Sequence, residues 1–227
     1  MLSIIPTPIG NLRDVTYRAI DILKSCDAIL CEDTRHSGKF LHAYEISKPL
    51  FSFHEHTSEG KVDALLRRLE AGEHLALISD GGMPLISDPG FELVNAAIRK
   101  GLPFEVLPGP CAVPTAVAAS GLATDSFSFY GFLSNKSAAR KNFFKKIRER
   151  EETAVFYESP YRLLQSLEDM LSVLGDREAA VAREMTKKFE EISRGTVSSL
   201  ISKFKNKKIL GEIVLLVSGN DRKRLFS

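Results

Sequence analysis

The chain contains little of what secreted or membrane-spanning proteins need. Only three of its 227 residues are cysteines, namely Cys26, Cys31 and Cys111, and none of them forms a CxxC pair. An odd number at such spacing favours buried free thiols in a reducing compartment over a disulfide framework. No apolar run reaches the roughly 18 residues of a membrane span, and the opening residues lack the basic stretch of a signal peptide. We therefore expect a soluble, cytoplasmic protein.

Several common binding motifs are also missing from the sequence. Neither GxGxxG nor GxxxxGK[ST] occurs, so a dinucleotide-binding fingerprint or a P-loop has little support. The sequence shows no internal repeat and no low-complexity segment. His54, Glu55 and His56 place two histidines in a polar loop without cysteine or carboxylate partners at ligand spacing, which is more typical of solvated side chains than of a zinc site. We expect no metal.

The charge is nearly balanced in total but unevenly distributed. The net charge is +2, yet residues 1–115 carry 11 lysines and arginines against 15 acidic residues, whereas residues 116–227 carry 20 against 14. Such asymmetry indicates that the second half faces a polyanion.

The order of apolar patterns predicts an α/β protein of two domains. Strands are expected at 2–6, 28–31, 50–53, 75–79 and 104–107, alternating with helices at 15–24, 37–44, 61–71 and 91–100. This alternation is typical of a mostly parallel sheet covered on both faces. Proline and glycine at 108–110 then break the pattern, so we place an N-terminal α/β domain at 1–112 and a C-terminal domain at 113–227.

The second half is expected to be a mixed α/β domain of less certain topology. A run of small residues at 112–122 predicts a helix at the domain junction. Strands are predicted at 127–131, 153–157, 179–182 and 213–217, and helices at 137–150 and 161–174.

Four of the five strands in the first half are followed by loops rich in glycine, proline or charge. Ligands of open α/β sheets bind at the carboxyl ends of the strands, so these loops are candidates for a site. Gly81 and Gly82 allow the backbone to approach a ligand closely. The alternative is a tight turn into a helix, with Asp88 as the N-cap and Pro89 as the first helical residue.

Three charges follow the second strand. In a functional interpretation, Glu32 and Asp33 hold or orient a substrate hydroxyl while Arg35 contacts a phosphate. In the simpler interpretation, Asp33 or Thr34 caps the next helix.

A basic segment, KSAARKNFFKKIRER at 136–150, has seven basic residues and one acidic residue. Lys141, Lys145 and Arg148 fall on one helical face, while Phe144 and Ile147 lie on the opposite face. The segment indicates a helix that contacts phosphates, with a solvated outer face as the alternative. Further basic residues follow at 203–208 and 222–224.

Seven segments together resemble one protein family, the ribosomal RNA small subunit methyltransferase I family of the tetrapyrrole methylase superfamily. They are PTPIGNLRD (6–14), EDTR (32–35), PGPCA (108–112), GFL (131–133), FYES (156–159), AREMTK (182–187) and GE (211–212). The matches run in order through nearly the whole chain.

The resemblance implies a two-domain tetrapyrrole-methylase fold, a homodimer, and S-adenosylmethionine bound in the cleft between the domains. The implied acceptor is the 2′-hydroxyl of a cytidine in 16S ribosomal RNA, within the small ribosomal subunit. The implied cofactor-binding residues are Asp80, Gly81, Gly82, Pro84, Ser87, Pro108, Gly109, Cys111, Ala112, Phe132, Leu133, Ala182, Arg183 and Gly211. Together with the basic segment, the substrate-binding candidates are Asn11, Arg13, Lys136, Arg140, Lys141 and Lys145.

The sequence departs from the family pattern at a few positions. The family usually has alanine at Gly81 and threonine at Met83, and it has proline at Ser134. Two alternatives therefore stay open: a methyltransferase of the same fold acting on a tetrapyrrole or another small molecule, and an RNA-binding relative without catalysis. Glu32, Asp33 and His54 are unranked candidates for a general base.

Overall fold

The computed structural model describes residues 1–55 and 57–220, which form two compact units, 1–111 and the part from Ala112 onward. The first unit contains β1 (Leu2–Ile5), a short 3-10 turn (Leu12–Asp14), α1 (Tyr17–Ser25), β2 (Ala28–Cys31), α2 (Thr34–Ala43), β3 (Leu50–Ser52), α3 (Glu59–Glu70), β4 (Leu75–Ile78), α4 (Phe91–Arg99) and β5 (Phe104–Val106). Its five strands are all parallel, in the order β3-β2-β4-β1-β5.

The first sheet has an apolar layer on each face. Alternate strand residues such as Leu2 and Ile4 pack with Leu66 of α3 and Leu93 of α4. Residues of the opposite face, such as Ile29 and Ile78, pack with α1 and α2. Continuous apolar strands are typical of a parallel sheet that is buried on both sides, and this arrangement leaves the loops at the strand ends as the positions open to a ligand.

The second unit contains α5 (Ala112–Ser120), β6 (Phe127–Phe132), α6 (Ser137–Ile147), β7 (Thr153–Glu158), α7 (Leu163–Leu174), β8 (Glu178–Arg183), β9 (Glu191–Thr196), α8 (Val197–Phe204) and β10 (Ile213–Val217). The strand order is β6-β7-β10-β8-β9. Only β6 and β7 pair in parallel, and the other three pairings are antiparallel. Phe144 of α6, Phe156 of β7 and Leu167 of α7 lie at the centre of its core.

The predicted fold class, a parallel sheet followed by a mixed α/β unit, is confirmed. Strand β9 and helix α8 were not predicted. The strand reads EISRGT, in which charged residues and a glycine obscure the alternation, and it lies at the edge of the sheet, where one side of the backbone is unpaired.

Helix α4 begins where it was predicted, whereas the alternative in which Asp88 caps it is wrong. The helix begins at Phe91 with Gly90 as its N-cap, so Asp88 does not cap it and Pro89 is not its first residue. Gly90 has a φ of 129°, and a Cβ there would lie 2.6 Å from Cδ2 of Leu77. The chain therefore turns once more before the helix begins, and this turn leaves Asp88 in the preceding loop.

Within the described ranges, no helix is both long enough and apolar enough to cross a membrane.

Candidate active site

The loops that follow β1 and β4 are joined by a short antiparallel bridge at the carboxyl end of the first sheet. Thr7 and Gly82 exchange two backbone hydrogen bonds of 2.9 Å. The Thr7 hydroxyl donates to the carbonyl of Ser79 at 3.1 Å, and the Ser79 hydroxyl donates to the carbonyl of Gly82 at 2.9 Å. Both hydroxyl groups are buried. The two loops are thus held in one fixed arrangement rather than as separate turns.

Two glycines allow this close approach. Gly82 has a φ of 94°, which favours glycine, and a Cβ there would lie 3.2 Å from Cγ2 of Ile9. At Gly109, in the loop after β5, a Cβ would lie 2.9 Å from Cβ of Pro6. At Gly81 the nearest atom to an added Cβ would be the Pro8 carbonyl oxygen, at 3.5 Å, so the alanine that is usual in the family would fit there without a shift.

The loop between β4 and α4 contains residues in an uncommon backbone conformation. Leu85 has a φ of 72° and Ser87 a φ of 64°, both in the left-handed region that non-glycine residues rarely adopt. Pro84 is buried, and Ser87 is exposed. Backbone strain of this kind costs of order 1–3 kcal/mol per residue and is concentrated at functional sites.

Three carboxyl groups lie close together at this edge of the sheet. Burial raises the pKa of the Asp88 carboxyl to about 7, and the negative charges of Glu32 and Asp80 add to the shift. The pKa of Glu32 is also raised, first by partial burial and then by Asp80. Asp88 was not among the predicted site residues, because the proline that follows it suggested a helix cap. Its place beside Glu32 depends on the tertiary structure.

Asp33 has a structural role in this arrangement. Its carboxylate accepts hydrogen bonds from the backbone of Arg35 at 2.7 Å and of His36 at 3.3 Å, and it is the N-cap of α2. These backbone donors hold the pKa of Asp33 below its usual value. The capping interpretation is therefore confirmed. The backbone N–H of Asp33 donates to Oδ1 of Asp80 at 3.3 Å, so the loop after β2 joins the other two.

The other predicted residues of the first unit surround this edge. Asn11 caps the 3-10 turn and accepts from the backbone of Arg13 at 3.1 Å. Arg13 and Arg35 are exposed. Pro108 and Gly109 are exposed after β5, and Cys111 is half-buried at the end of the unit.

Two of the predicted cofactor residues of the second unit, Arg183 at the end of β8 and Gly211 before β10, lie on segments that contact each other. Arg183 donates to the carbonyl of Leu210 at 3.1 Å and to the Glu191 carboxylate at 3.3 Å. Gly211 has a φ of 90°, and a Cβ there would lie 2.4 Å from the Glu184 side chain. Ala182 is buried, and Ala112 at the start of α5 is half-buried.

The end of β6 has one exposed and one buried candidate. Phe132 is 61% exposed, whereas Leu133 belongs to the core of the second unit. Gly131, between the paired ends of the strand, has a φ of 66°, and the pairing of β6 with β7 shifts register there. The irregularity leaves the Phe132 ring outside the core.

Arg140 is not available to a phosphate, which corrects its assignment as a substrate-binding residue. Its side chain is 0% exposed, and its Nε and Nη2 both donate to Oδ2 of Asp169. Its Nη1 donates to the carbonyl of Ser134 at 2.8 Å. The predicted helical face did not account for this residue, since Arg140 lies four residues before the buried Phe144 and shares its side of the helix. Lys136 and Lys145 are exposed, and Lys141 lies 3.3 Å from Asp169.

Among the described residues, no group of three or more histidine, cysteine, aspartate or glutamate side chains is arranged to hold a metal ion. His56 and the basic residues at 222–224 lie outside the described residues.

Residues 1–201 match the family model described as Tetrapyrrole (Corrin/Porphyrin) Methylases. The chain is also similar to proteins named Ribosomal RNA small subunit methyltransferase I. The Vibrio cholerae protein is 51% identical over 96% of this chain and 77% of its own length. The Bacillus subtilis protein is 46% identical over 99% of this chain and 77% of its own length. The Thermotoga maritima protein is 46% identical over 97% of this chain and 99% of its own length.

The chain belongs to the ribosomal RNA small subunit methyltransferase I family. It is accordingly a methyltransferase of the tetrapyrrole methylase superfamily. Solved structures agree with this fold. A diphthine synthase superposes with a TM-score of 0.75 at 14% identity, covering 96% of this chain and 89% of its own. A uroporphyrin-III-C-methyltransferase from Thermus thermophilus superposes with a TM-score of 0.67 at 20% identity, covering 96% and 93%.

The geometry of this methyltransferase places the predicted residues Glu32, Asp80 and Gly82 at one edge of one sheet. Asp88 joins them there, although the sequence alone did not identify it. A half-buried carboxyl group that titrates near neutral pH is suited to accept a proton from a hydroxyl group.

Proposed function

We propose that this methyltransferase transfers the methyl group of S-adenosylmethionine to the ribose 2′-hydroxyl of a cytidine in 16S ribosomal RNA. The observation that carries the proposal is the identity of 46–51% to the relatives of that name over nearly the whole chain. The carboxyl cluster and the excess of basic residues in the second unit support it independently. An enzyme acting on the small ribosomal subunit works in the cytoplasm.

The loops of the first unit fit a cofactor of this kind. The loop after β4 contains Asp80, Gly82 and Ser87. Hydrogen bonds from buried hydroxyl groups fix its backbone, and Gly82 has no Cβ where the loop comes closest to Ile9. These residues, with Gly109 of the loop after β5, would hold the cofactor. When bound, S-adenosylmethionine supplies a methyl group on a positively charged sulfonium.

The residues of the chain would then orient the acceptor and take its proton. Holding two reactants in line contributes about 7–11 kcal/mol to lowering a barrier. The Asp88 carboxylate accepts the proton of the attacking hydroxyl at one of its oxygens, and general-base help of this kind is worth about 10²–10⁴-fold in rate. Burial, with the negative charges of Glu32 and Asp80 in addition, raises the pKa of Asp88 to about 7, which suits this role at neutral pH. The Asp33 carboxylate already accepts the backbone hydrogen bonds at the start of α2, so we do not assign the proton transfer to it.

The test of cofactor binding uses Asp80→Ala. We expect this variant to bind S-adenosylmethionine more weakly by about tenfold, because it loses a polar group of the loop. Titration calorimetry measures the affinity, and circular dichroism checks that the variant is folded. Asp63→Ala, on the exposed side of α3, is the matched control. Equal affinity in Asp80→Ala and the parent would show that this loop is not part of the cofactor site.

The test of the substrate is mass mapping of ribosomal RNA from cells with and without the gene. We expect one ribose methylation on a cytidine of 16S RNA to disappear. Loss of a base methylation instead, or no change in the RNA, would contradict the proposed acceptor.

The proposed assembly is a homodimer, as the family resemblance implies. Sedimentation of the 25.2 kDa chain at micromolar concentration should give twice that mass. A mass equal to one chain would contradict it.

A further inference from the structure

The turn between β7 and α7 presents a tyrosine almost entirely to solvent. Tyr161 is 89% exposed, in a turn where the backbone of Arg162 donates to the carbonyl of Ser159 at 3.0 Å. An aromatic ring of this size usually buries most of its surface in a core or an interface. The exposed ring is therefore a candidate for contact with a binding partner.

A buried carboxylate holds this turn in place. Glu158 at the end of β7 is 2% exposed and accepts from the backbone of Ser159 at 2.7 Å and from Nε of Arg162 at 3.1 Å. It also accepts from the hydroxyl of Ser166 on α7. The backbone of the turn that carries Tyr161 is thus held in one conformation. Binding a partner there therefore costs little conformational entropy.

A second loop lies at the same edge of the sheet. Strands β6 and β7 are parallel neighbours, so their carboxyl ends meet at one edge. The backbone of Leu133 donates to the carbonyl of Tyr157 at 3.4 Å, and the rings of Phe132 and Tyr157 lie 5.4 Å apart. This loop continues into the exposed Lys136 at the start of α6. This loop is also held in place, because the buried Arg140 donates a hydrogen bond to the carbonyl of Ser134.

The edge therefore combines exposed aromatic rings with positive charge. Lys136 is exposed on one loop, and the side chain of Arg162 is 32% exposed on the other. The acidic group at the end of β7, Glu158, is buried and bonded to Arg162. Aromatic faces beside cationic groups suit unpaired nucleotides, whose bases stack on the rings while their phosphates meet the charges.

We propose that this edge binds an unpaired stretch of the RNA substrate, with one base stacked on the ring of Tyr161. The inference rests on the proposed function and deepens it: the enzyme recognises a single-stranded part of its RNA substrate, and does so through ring stacking in addition to charge.

The experiment measures binding of fluorescein-labelled RNA to the full chain. One probe is an unstructured RNA of about 12 nucleotides and the other is the duplex of the same sequence. Tyr161→Ala should weaken binding of the unpaired probe by about 5- to 100-fold, the range of one lost base stack. Tyr161→Phe keeps the ring and should stay within about twofold of the parent. Duplex binding should not change, because its bases are not free to stack.

Tyr17→Ala is the matched control, because Tyr17 is 94% exposed at the start of α1 in the other unit. This variant should bind both probes like the parent. Parent-like binding of the unpaired probe by Tyr161→Ala would overturn the inference, as would an equal loss on both probes. A change of mass in solution without a change in RNA affinity would overturn it too, since the ring would then contact a second copy of the chain.

Methyl transfer is measured separately, with small ribosomal subunits and labelled S-adenosylmethionine. If the parent transfers no methyl group to RNA, the proposed function fails, whereas the stacking result is still read from binding alone. If the parent methylates and Tyr161→Ala has an unchanged KM for the subunits, stacking plays no part in substrate recognition and the inference fails by itself.

Discussion

Asp88 shows how a single residue acquires its chemistry from its neighbours. An exposed aspartate is ionised at neutral pH, whereas burial beside Glu32 and Asp80 brings the pKa of this carboxyl to about 7. Perturbed carboxyl groups in a loop at the end of a sheet are typical of sites that move protons. The same environment that suits Asp88 to catalysis makes its ionised form costly to the fold.

Asp88→Asn should lower the turnover number by about 10²–10⁴-fold, because the amide cannot accept the proton of the hydroxyl. The affinity for S-adenosylmethionine should stay close to that of the parent, since the amide keeps the size of the side chain. Single-turnover methylation of small ribosomal subunits measures the rate. A variant with full turnover would show that the proton leaves by another route.

The same variant should change the pH dependence of stability. Between the ordinary pKa of 3.8 and the raised value of about 7, the folded parent holds a proton that the unfolded chain releases. The free energy of unfolding of the parent therefore falls as the pH rises through this window and levels off above it. Asp88→Asn should be more stable than the parent by about 1–2 kcal/mol at pH 8, after allowance for solvent screening.

Urea denaturation at pH 4 and pH 8 measures this difference, which should nearly vanish at the lower pH. Asp21→Asn, on the exposed side of α1, is the control and should follow the parent at both values. An advantage of Asp88→Asn that is equal at both pH values would show that burial of the charge is not its cause.

At the scale of elements, a buried ion pair joins α6 to α7. Arg140 and Asp169 are almost completely buried, and the Ser137 hydroxyl donates to the second carboxylate oxygen at 2.9 Å. A charged pair in a core is stabilising only when all its hydrogen-bonding groups are satisfied. Here the guanidinium also binds the carbonyl of Ser134, so the pair fixes the loop before α6 as well as the packing of two helices.

Asp169→Ala should destabilise the protein by about 3–5 kcal/mol, because it leaves the Arg140 guanidinium buried without a counterion. Replacing both residues, Arg140→Leu with Asp169→Leu, should restore most of that loss, since no uncompensated charge remains. Urea unfolding followed by circular dichroism measures both. A double variant as unstable as Asp169→Ala would mean that the shape of the pair matters more than its charge.

At the scale of the whole molecule, the excess of basic residues lies in the second unit, and α6 carries part of it to the surface. Phe144 and Ile147 bury one side of the helix. Lys145 and Lys146 between them are exposed, whereas Lys141 is drawn toward Asp169 at 3.3 Å. The pair Lys145 and Lys146 is therefore better placed for RNA phosphates than the predicted pair of Lys141 and Lys145.

Changing Lys145 and Lys146 to alanine should weaken RNA binding regardless of sequence. The slope of log affinity against log salt should become shallower by about 1–2 units, at roughly 0.7 per lost phosphate contact on single strands. Fluorescence anisotropy between low and physiological salt measures it. Lys24→Ala with Lys39→Ala removes the same charge from the first unit and should leave the slope unchanged. Equal slopes in all three proteins would mean that α6 does not meet the RNA.

The amino-acid sequence by itself determined the fold class, nine of the strands and the family. Short apolar runs bounded by glycine and proline are typical of strands buried on both faces of a sheet. Each run can be recognised from a few consecutive residues. Motifs such as PTPIG and EDTR are likewise recognised from consecutive residues. The sequence also made Glu32, Asp80 and Gly82 candidates for the site, through their positions after strands and through the family resemblance.

Only the tertiary structure decided what the charged side chains do. Asp88 and Glu32 are 56 residues apart in the chain, and their interaction arises because strands β2 and β4 are neighbours in the sheet. Arg140 carries the same charge as Lys145, yet one is buried against Asp169 and the other is exposed, because their positions on the helix differ. Burial and charge partners depend on packing between distant segments, and no pattern within one segment contains that information.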